Sequence, residues 1–185
     1  LSAATQIRAL AISARYSFIA ATFRSTFSER SPGNSSADVN GAILVTPGDQ
    51  LAGIPRHTVK VRLDYAFSAH CSAGLTLLTS TGVYARGDEN NADRSGRLPG
   101  YTLVNFDARY QLNGAWELFA RLNNPFDTRY YDFGVLGENF FTGPGRSFGP
   151  GAGVAPRAEQ FRAPGAPRGV WAGARYAFGG GGARG

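Results

Sequence analysis

Residues 101–112 read YTLVNFDARYQL. Val104, Phe106, Ala108, Tyr110 and Leu112 take every even position, with Asn105, Asp107, Arg109 and Gln111 between them. Successive side chains of a strand point to opposite faces, so this segment is apolar on one side and carries two opposite charges on the other. HTVKVRLDYAF at 57–67 obeys the same rule, with Val59, Val61, Leu63, Tyr65 and Phe67 against Lys60, Arg62 and Asp64. At about 11 residues each, the two segments match the ~9–11 residues with which a tilted strand crosses a bilayer.

Working outward, the alternation predicts further strands over 10–27, 115–131 and 170–178, with a stub at 1–5. Residues 75–86 carry apolar side chains in both registers and are assigned as a strand from their neighbours. Beyond Ala20 the pattern of 10–27 blurs, as in a strand that protrudes past a membrane. The connections alternate in length. SAHCSAG at 68–74 and the Asn-Gly turn at 113–115 are short, whereas 28–56, 87–100 and 132–169 are long and rich in Gly, Pro, Asn, Asp and Arg. Long loops on one rim and short turns on the other are the habit of outer-membrane barrels. Tyr65, Phe67, Tyr110, Trp116, Tyr176 and Phe178 all fall near the short-turn ends, where an aromatic girdle belongs.

Composition agrees. Gly numbers 25 and aromatics make up 12% of the 185 residues, a balance that favours strands and turns. No apolar run approaches the ~20 residues of a membrane helix. The net charge is +6, nearly all of the basic charge being Arg because Lys60 is the single lysine. Cys71 is the single cysteine, so no disulfide forms within the chain and no Cys/His metal spacing exists. The sequence has no Met and opens at Leu1 without a signal-peptide pattern, which suggests an internal or processed piece. The stretch 143–168 and the tail GGGGARG at 179–185 have little apolar content, so both are expected to be mobile, the tail disordered.

Three stretches resemble the C-terminal barrel portion of TonB-dependent outer-membrane receptors. GIPRHTVKVRLDY at 53–65 resembles the Pro-x-His approach to a strand, through Pro55 and His57. RLNNPFDTRYYDFG at 121–134 resembles the late Asn-Leu-Phe-Asp-x-x-Tyr motif, matched by Asn124, Phe126, Asp127 and Tyr130. APGAPRGVWAGARYAF at 163–178 resembles the final strand with its terminal aromatic, Phe178. Pro125 stands where the family has Leu, and the missing N–H should end or bulge the strand there. Seven residues follow Phe178, where the family stops.

The resemblance implies an all-β fold, a segment of an antiparallel transmembrane β-barrel with about seven strands of a larger barrel, long extracellular loops and short periplasmic turns. It implies a location in the bacterial outer membrane and TonB-dependent uptake of a scarce nutrient, an iron chelate or cobalamin. The partners implied are outer-membrane lipid and lipopolysaccharide, the plug and remaining strands of the receptor, the TonB complex and a small-molecule ligand. The plug and coupling segment are absent from this sequence, so the chain is expected to be a fragment, with 1–178 as the barrel part. A soluble all-β binding module and a passive porin-like barrel are the alternatives.

No catalytic residue, cofactor or metal is expected. His70–Cys71 falls in a short turn without a third ligand. GDENNAD at 87–93 carries carboxylates and amides suited to Ca²⁺, but lacks the EF-hand order and is expected to be a solvated loop tip. Gly143-Pro-Gly-Arg-Ser lacks the GK[ST] of a phosphate loop, and the Arg-Gly pairs at 168–169 and 184–185 do not argue for nucleic acid, because the Arg residues fall mostly on the lumen face or in loops. Asp127 is expected to be a structural acceptor at a strand end. The candidate ligand-binding residues are Tyr130, Tyr131, Phe133, Phe140, Phe141, Arg146, Arg157 and Arg162, where aromatic planes and guanidinium groups in one long loop suit an anionic, partly apolar ligand. An outer girdle contacting lipopolysaccharide would use the same residues.

Overall fold

The computed structural model describes residues 1–178; the 179–185 tail lies outside the described residues. The strands in chain order are β1 (Ser2–Ile7), β2 (Leu10–Phe18), β3 (Phe27–Arg30), β4 (Ala42–Val45), β5 (His57–Ala66), β6 (Cys71–Ser80), β7 (Tyr101–Gln111), β8 (Trp116–Asn123), β9 (Tyr131–Asn139), β10 (Arg157–Pro164) and β11 (Gly169–Tyr176). Seven of them form one sheet in the order β1-β2-β5-β6-β7-β8-β11, with β1 and β11 as open edges. Every pairing in that sheet is antiparallel.

Register puts all the alternations in phase. One continuous row across the sheet reads Ile12, Leu63, Leu75, Phe106, Leu122 and Val170. The adjacent row, on the opposite face, reads Ala11, Asp64, Gly74, Asp107, Arg121 and Trp171. A one-residue slip of any strand would carry its charges to the apolar side, so the pattern itself fixes the pairing. Among the described residues no second layer covers the apolar face: Tyr65, Phe106, Tyr110, Leu118, Val170 and Tyr176 stay exposed. A soluble sandwich would bury these side chains against a partner sheet. Here they face outward as the wall of a barrel faces lipid.

At the short-turn rim the aromatics gather into a belt. Tyr65 packs on Phe67 with ring centroids 4.8 Å apart, Trp116 on Tyr176 at 4.9 Å, and Tyr176 on Phe178 at 4.6 Å. On the polar face, Arg62 reaches sideways from β5 across β6 to Asp107 on β7, while also bonding Asp64. Gly74 lies directly beneath this crossing. A Cβ there would overlap the Arg62 guanidinium, so the missing side chain is what lets the arginine pass.

Several boundaries differ from those the sequence predicts. β2 ends at Phe18, and the chain reforms as β3 from Phe27. β6 begins at Cys71 instead of residue 75 and ends at Ser80, because the turn before it is tight: Phe67 N and Ser68 N both donate to Cys71 O, and Ser68 Oγ accepts from His70 N and Cys71 N. Cys71 therefore opens a strand and does not sit in a turn. β8 stops at Asn123, not at 131, because Asn124 turns left-handed at φ 47° and Pro125 follows.

The largest correction concerns the long connections. They are not bare loops: β3 and β4 form a hairpin within the first, and β9 and β10 form a longer one in the third. The segment 143–168, expected to be mobile, supplies β10 and two short 3₁₀ turns at Pro144–Arg146 and Pro150–Ala152. Its order comes from full pairing with β9, from Phe133–Ala163 to Asn139–Arg157.

Candidate functional site at the long-loop rim

The three long connections interlock above the sheet. Arg86 pairs with β9 through a parallel bridge, Arg86 N donating to Gly134 O and Leu136 N to Arg86 O. Around this join Ala85, Leu98 and Leu136 form a buried cluster, flanked by Val83 and Tyr131. Gly33 of the first connection lies so close to Gly137 of β9 that a Cβ would overlap its backbone. Gln160 Nε2 on β10 donates to Gly96 O, tying the second connection to the hairpin from the other side.

A buried polar network fastens the first connection to the second. Ser31 Oγ and Asn34 Nδ2 both donate to Gly87 O, at 2.7 and 2.9 Å. Asp88 Oδ1 accepts from Asp93 N at 2.8 Å, and Asp93 accepts from Ser35 N and Ser95 N. The 87–93 segment is thus no solvated tip: Asp88 is 0% exposed, and its Oδ2 has no hydrogen-bond partner among the described residues. Burial holds the Asp88 pKa above its ordinary value, an effect its hydrogen bonds only partly offset. Burial also raises Asp93, but its hydrogen bonds to Ser35 and Ser95 outweigh that and leave the pKa lowered. Glu29 is raised by burial and by the nearby Glu89 carboxylate. Among the described residues no group of three or more His, Cys, Asp or Glu side chains converges on a metal position.

The motif around Asn124 anchors the end of β8 to the start of β11. Asn124 is buried and donates through Nδ2 to Thr128 O and Ala166 O, while its Oδ1 accepts from Thr128 N. Asp127 Oδ1 accepts from Arg168 N, and Tyr130 OH from Ala166 N. Phe126 points outward, 72% exposed. Pro55 leads into β5, where His57 Nδ1 meets Tyr16 OH at 2.8 Å and the His57 ring lies 5.2 Å from Phe18.

The candidate ligand-binding residues divide into two groups. Phe141, Arg146 and Arg157 line one cavity of about 650 Å³ at the tip of the β9–β10 hairpin, with Asn139, Thr142, Val154, Ala155 and Glu159. Glu159 accepts from Asn139 Nδ2 at 3.1 Å. Two guanidinium groups against one carboxylate leave the cavity with an excess of positive charge. Phe141 and its neighbour Phe140 both pack on Phe148, at 6.3 and 6.4 Å. Phe148 was not legible as a site residue, since its only sequence signal is a single aromatic in a Gly/Pro-rich run. The other candidates lie lower and contact other protein groups. The Arg162 guanidinium sits 5.2 Å over the Tyr131 ring, and the Tyr130 ring packs at a tilt against Tyr101 with centroids 4.6 Å apart. Phe133 sits on β9 beside Ala163, partly exposed.

Residues 3–124 match the family described as TonB dependent receptor-like, beta-barrel. The chain belongs to the TonB-dependent receptor β-barrel family. It is similar to the metal-pseudopaline receptor CntO of Pseudomonas aeruginosa, 28% identical over 109 residues that cover 59% of this chain and 15% of that protein. Two solved structures share the fold. The siderophore receptor PiuA from Acinetobacter baumannii matches 92% of this chain and 20% of its own, with a TM-score of 0.61 and 16% identity. The copper transporter OprC matches 96% of this chain and 23% of its own, with a TM-score of 0.57 and 16% identity. The chain thus spans less than a quarter of the length of each of these relatives. TonB-dependent receptors are transport receptors of the outer membrane, which agrees with the two-faced wall.

Proposed function

We propose that the chain is part of the wall and outer rim of a bacterial outer-membrane receptor. In this reading the receptor takes up a scarce metal chelate, of the ferric siderophore class, in a TonB-dependent manner. The observation that carries it is the cavity of about 650 Å³ at the hairpin tip, where Arg146 and Arg157 stand beside Phe141. Guanidinium groups pair with anionic oxygens and stack on aromatic planes, so the cavity suits an anionic chelate with flat apolar parts better than a neutral corrinoid. The hairpin is held to the other connections by the Arg86 bridge and by Gln160, so the cavity is presented on a fixed support. The partners of this reading are membrane lipid and lipopolysaccharide, the remaining receptor domains and the TonB complex.

The test uses the full-length receptor and three probes: ferric citrate, a ferric tris-catecholate and cobalamin. Tryptophan fluorescence titration should show binding of one of the ferric anions and none of cobalamin. The Arg146→Gln/Arg157→Gln double variant should weaken that binding at least tenfold, because each charged hydrogen bond contributes about 1.5–3 kcal/mol in a desolvated site. Unchanged affinity in the double variant would place capture elsewhere on the receptor.

A further inference from the structure

The sequence holds two Asn-Gly pairs, Asn40–Gly41 in the first long connection and Asn113–Gly114 in the turn between β7 and β8, and both asparagines are exposed. An asparagine followed by glycine can close on itself. The glycine N attacks the side-chain carbonyl carbon, and no Cβ on the glycine blocks the approach. The two turns offer this reaction opposite surroundings.

At Asn113 three features favour closure. Oδ1 accepts from Ala115 N at 2.9 Å and from Trp116 N at 3.0 Å, which folds the side chain back over the peptide to Gly114. Two N–H groups on one carbonyl oxygen also stabilise the negative charge that gathers there when a nucleophile adds to the carbon. The backbone oxygen of Asn113, in the same amide as Gly114 N, accepts from Gln111 Nε2 at 2.6 Å. When Gly114 N loses its proton the charge spreads onto that oxygen, where the Gln111 donor holds it. Gly114 N itself donates to no group among the described residues, and a Cβ at Gly114 would meet nothing within 4 Å, so the nitrogen is free and water reaches it.

At Asn40 the attacking nitrogen is committed. Gly41 N donates to Asp38 O at 2.9 Å, and Gly41 is held left-handed at φ 74°. Asp38 Oδ1 accepts from Asn40 N and Ala42 N at 2.8 and 2.9 Å, so a carboxylate lies against this turn and opposes an anion on Gly41 N.

We infer that Asn113 is a self-modification site, which the β7–β8 turn converts to aspartate and isoaspartate with water as the only co-reactant. Water takes the Gly114 N–H proton, the bond from Gly114 N to Asn113 Cγ forms, and the side-chain nitrogen leaves as ammonia after taking a proton from solvent. Water then opens the resulting imide ring. Opening at Cγ restores the backbone and leaves an ordinary aspartate. Opening at the backbone carbonyl leaves the chain running through Cβ and Cγ, one methylene longer. Leu112 N donates to Trp116 O across this turn at 2.9 Å, so the longer chain shifts the closure of the hairpin beside the aromatic belt. The inference is independent of which cargo the receptor carries.

The experiment keeps the folded full-length receptor in detergent at neutral pH in water enriched in heavy oxygen, then digests it with trypsin in ordinary water. Ring opening adds one solvent oxygen, so the label marks product formed before digestion. The peptide spanning 110–121 reports on Asn113 and the one spanning 31–56 on Asn40. Asn113 should convert several-fold faster than Asn40 in the folded receptor, and the two rates should become nearly equal in urea. Gln111→Leu should slow Asn113 several-fold and leave Asn40 unchanged, while Gly114→Ala should suppress conversion of Asn113. Three results would overturn the inference: Asn113 converting more slowly folded than unfolded, Asn113 converting no faster than Asn40 in the folded receptor, or a folded Gln111→Leu variant with the native rate. The folded-against-unfolded comparison uses the native chain alone, so it stands even where a variant fails to assemble.

Discussion

In the seven-stranded sheet, Phe106, Leu118 and Val170 stay 37%, 42% and 70% exposed, while in the connections above it Ile43, Val45, Ala85 and Leu98 are at most 2% exposed. The region with the most regular secondary structure has almost no core of its own, and the region assembled from loops has one. The two halves are solving for different solvents. The sheet leaves its apolar face outward because lipid completes it, and turns Arg62, Asp64 and Asp107 to the other side. The loop layer meets water, so it buries apolar groups around the Arg86 bridge and satisfies most of its polar groups from within, the buried Asp88 Oδ2 and Glu89 Oε2 excepted.

The comparison breaks most sharply at two adjacent residues. Leu77 faces the apolar side, opposite Val61 and Val104, and Leu78 faces the polar side, opposite Lys60 and Leu103. Leu77→Arg should destabilise the receptor by about 2–4 kcal/mol, the cost of an arginine on the lipid face near the midplane. Leu78→Arg should cost under about 1 kcal/mol, the scale of one added like-charge pair. Denaturant unfolding in lipid vesicles measures both. Equal costs would mean that the two faces are not lipid and lumen.

A smaller effect probes the polar face alone. Gly74→Ala puts a methyl group where the Arg62 guanidinium crosses toward Asp107. The ion pair is about three-quarters buried on both sides, so its loss should cost about 1 kcal/mol. Arg62→Gln should cost a similar amount. The double variant should cost no more than either single one, because both remove the same contact. Additive losses would show that Gly74 has a separate role.

The same contrast explains how much could be read from the sequence. The sheet was legible because period-two alternation in segments such as 57–67 and 101–112 is itself the physical requirement of a two-faced wall. Five of the seven strands and the aromatic belt followed from it, while 75–86, apolar in both registers, was placed only by its neighbours and 1–5 only as a stub. Strand ends were less legible, because a backbone turn such as Asn124 at φ 47° leaves no periodic signal. The loop layer was read as unstructured because its order rests on contacts far apart in sequence. Asn34 meets Gly87, and Gly33 meets Gly137, across separations that no local pattern records. The candidate site was half legible for the same reason. Clustered aromatics and arginines marked the β9–β10 hairpin, but only pairing of the hairpin brings Phe141, Arg146 and Arg157 to one cavity and commits Tyr131 to Arg162.

The finest test lies in the polar network of the loop layer, where two aspartates respond to pH in opposite senses. Burial raises the pKa of Asp88, so its folded form prefers the proton. That contribution to stability is full below the unfolded carboxylate value and is lost as pH rises through the raised one. The pKa of Asp93 is lowered despite burial, because backbone and hydroxyl donors favour its charged form. Its contribution is full above the unfolded value and is lost as pH falls through the lowered one. At neutral pH, then, Asp88 is a charge the fold tolerates and Asp93 a charge it uses. Asp88→Asn keeps an oxygen to accept from Asp93 N and removes the buried charge, so the interlock should tighten at pH 7 by under about 1 kcal/mol. Asp93→Asn weakens the acceptor for Ser35 and Ser95 and should loosen the interlock by about 1 kcal/mol. Hydrogen exchange at the Ser35 and Asp93 amides reads both effects, as slower exchange in the first variant and faster in the second. As the pH falls through the raised pKa of Asp88, the advantage of Asp88→Asn should fade because the native Asp88 takes up its proton, whereas the loss in Asp93→Asn should persist down to the lowered pKa. A first variant that loosens the loops at pH 7 would mean that the buried Asp88 charge is compensated, and that the loop layer depends on it as the sheet depends on Asp107.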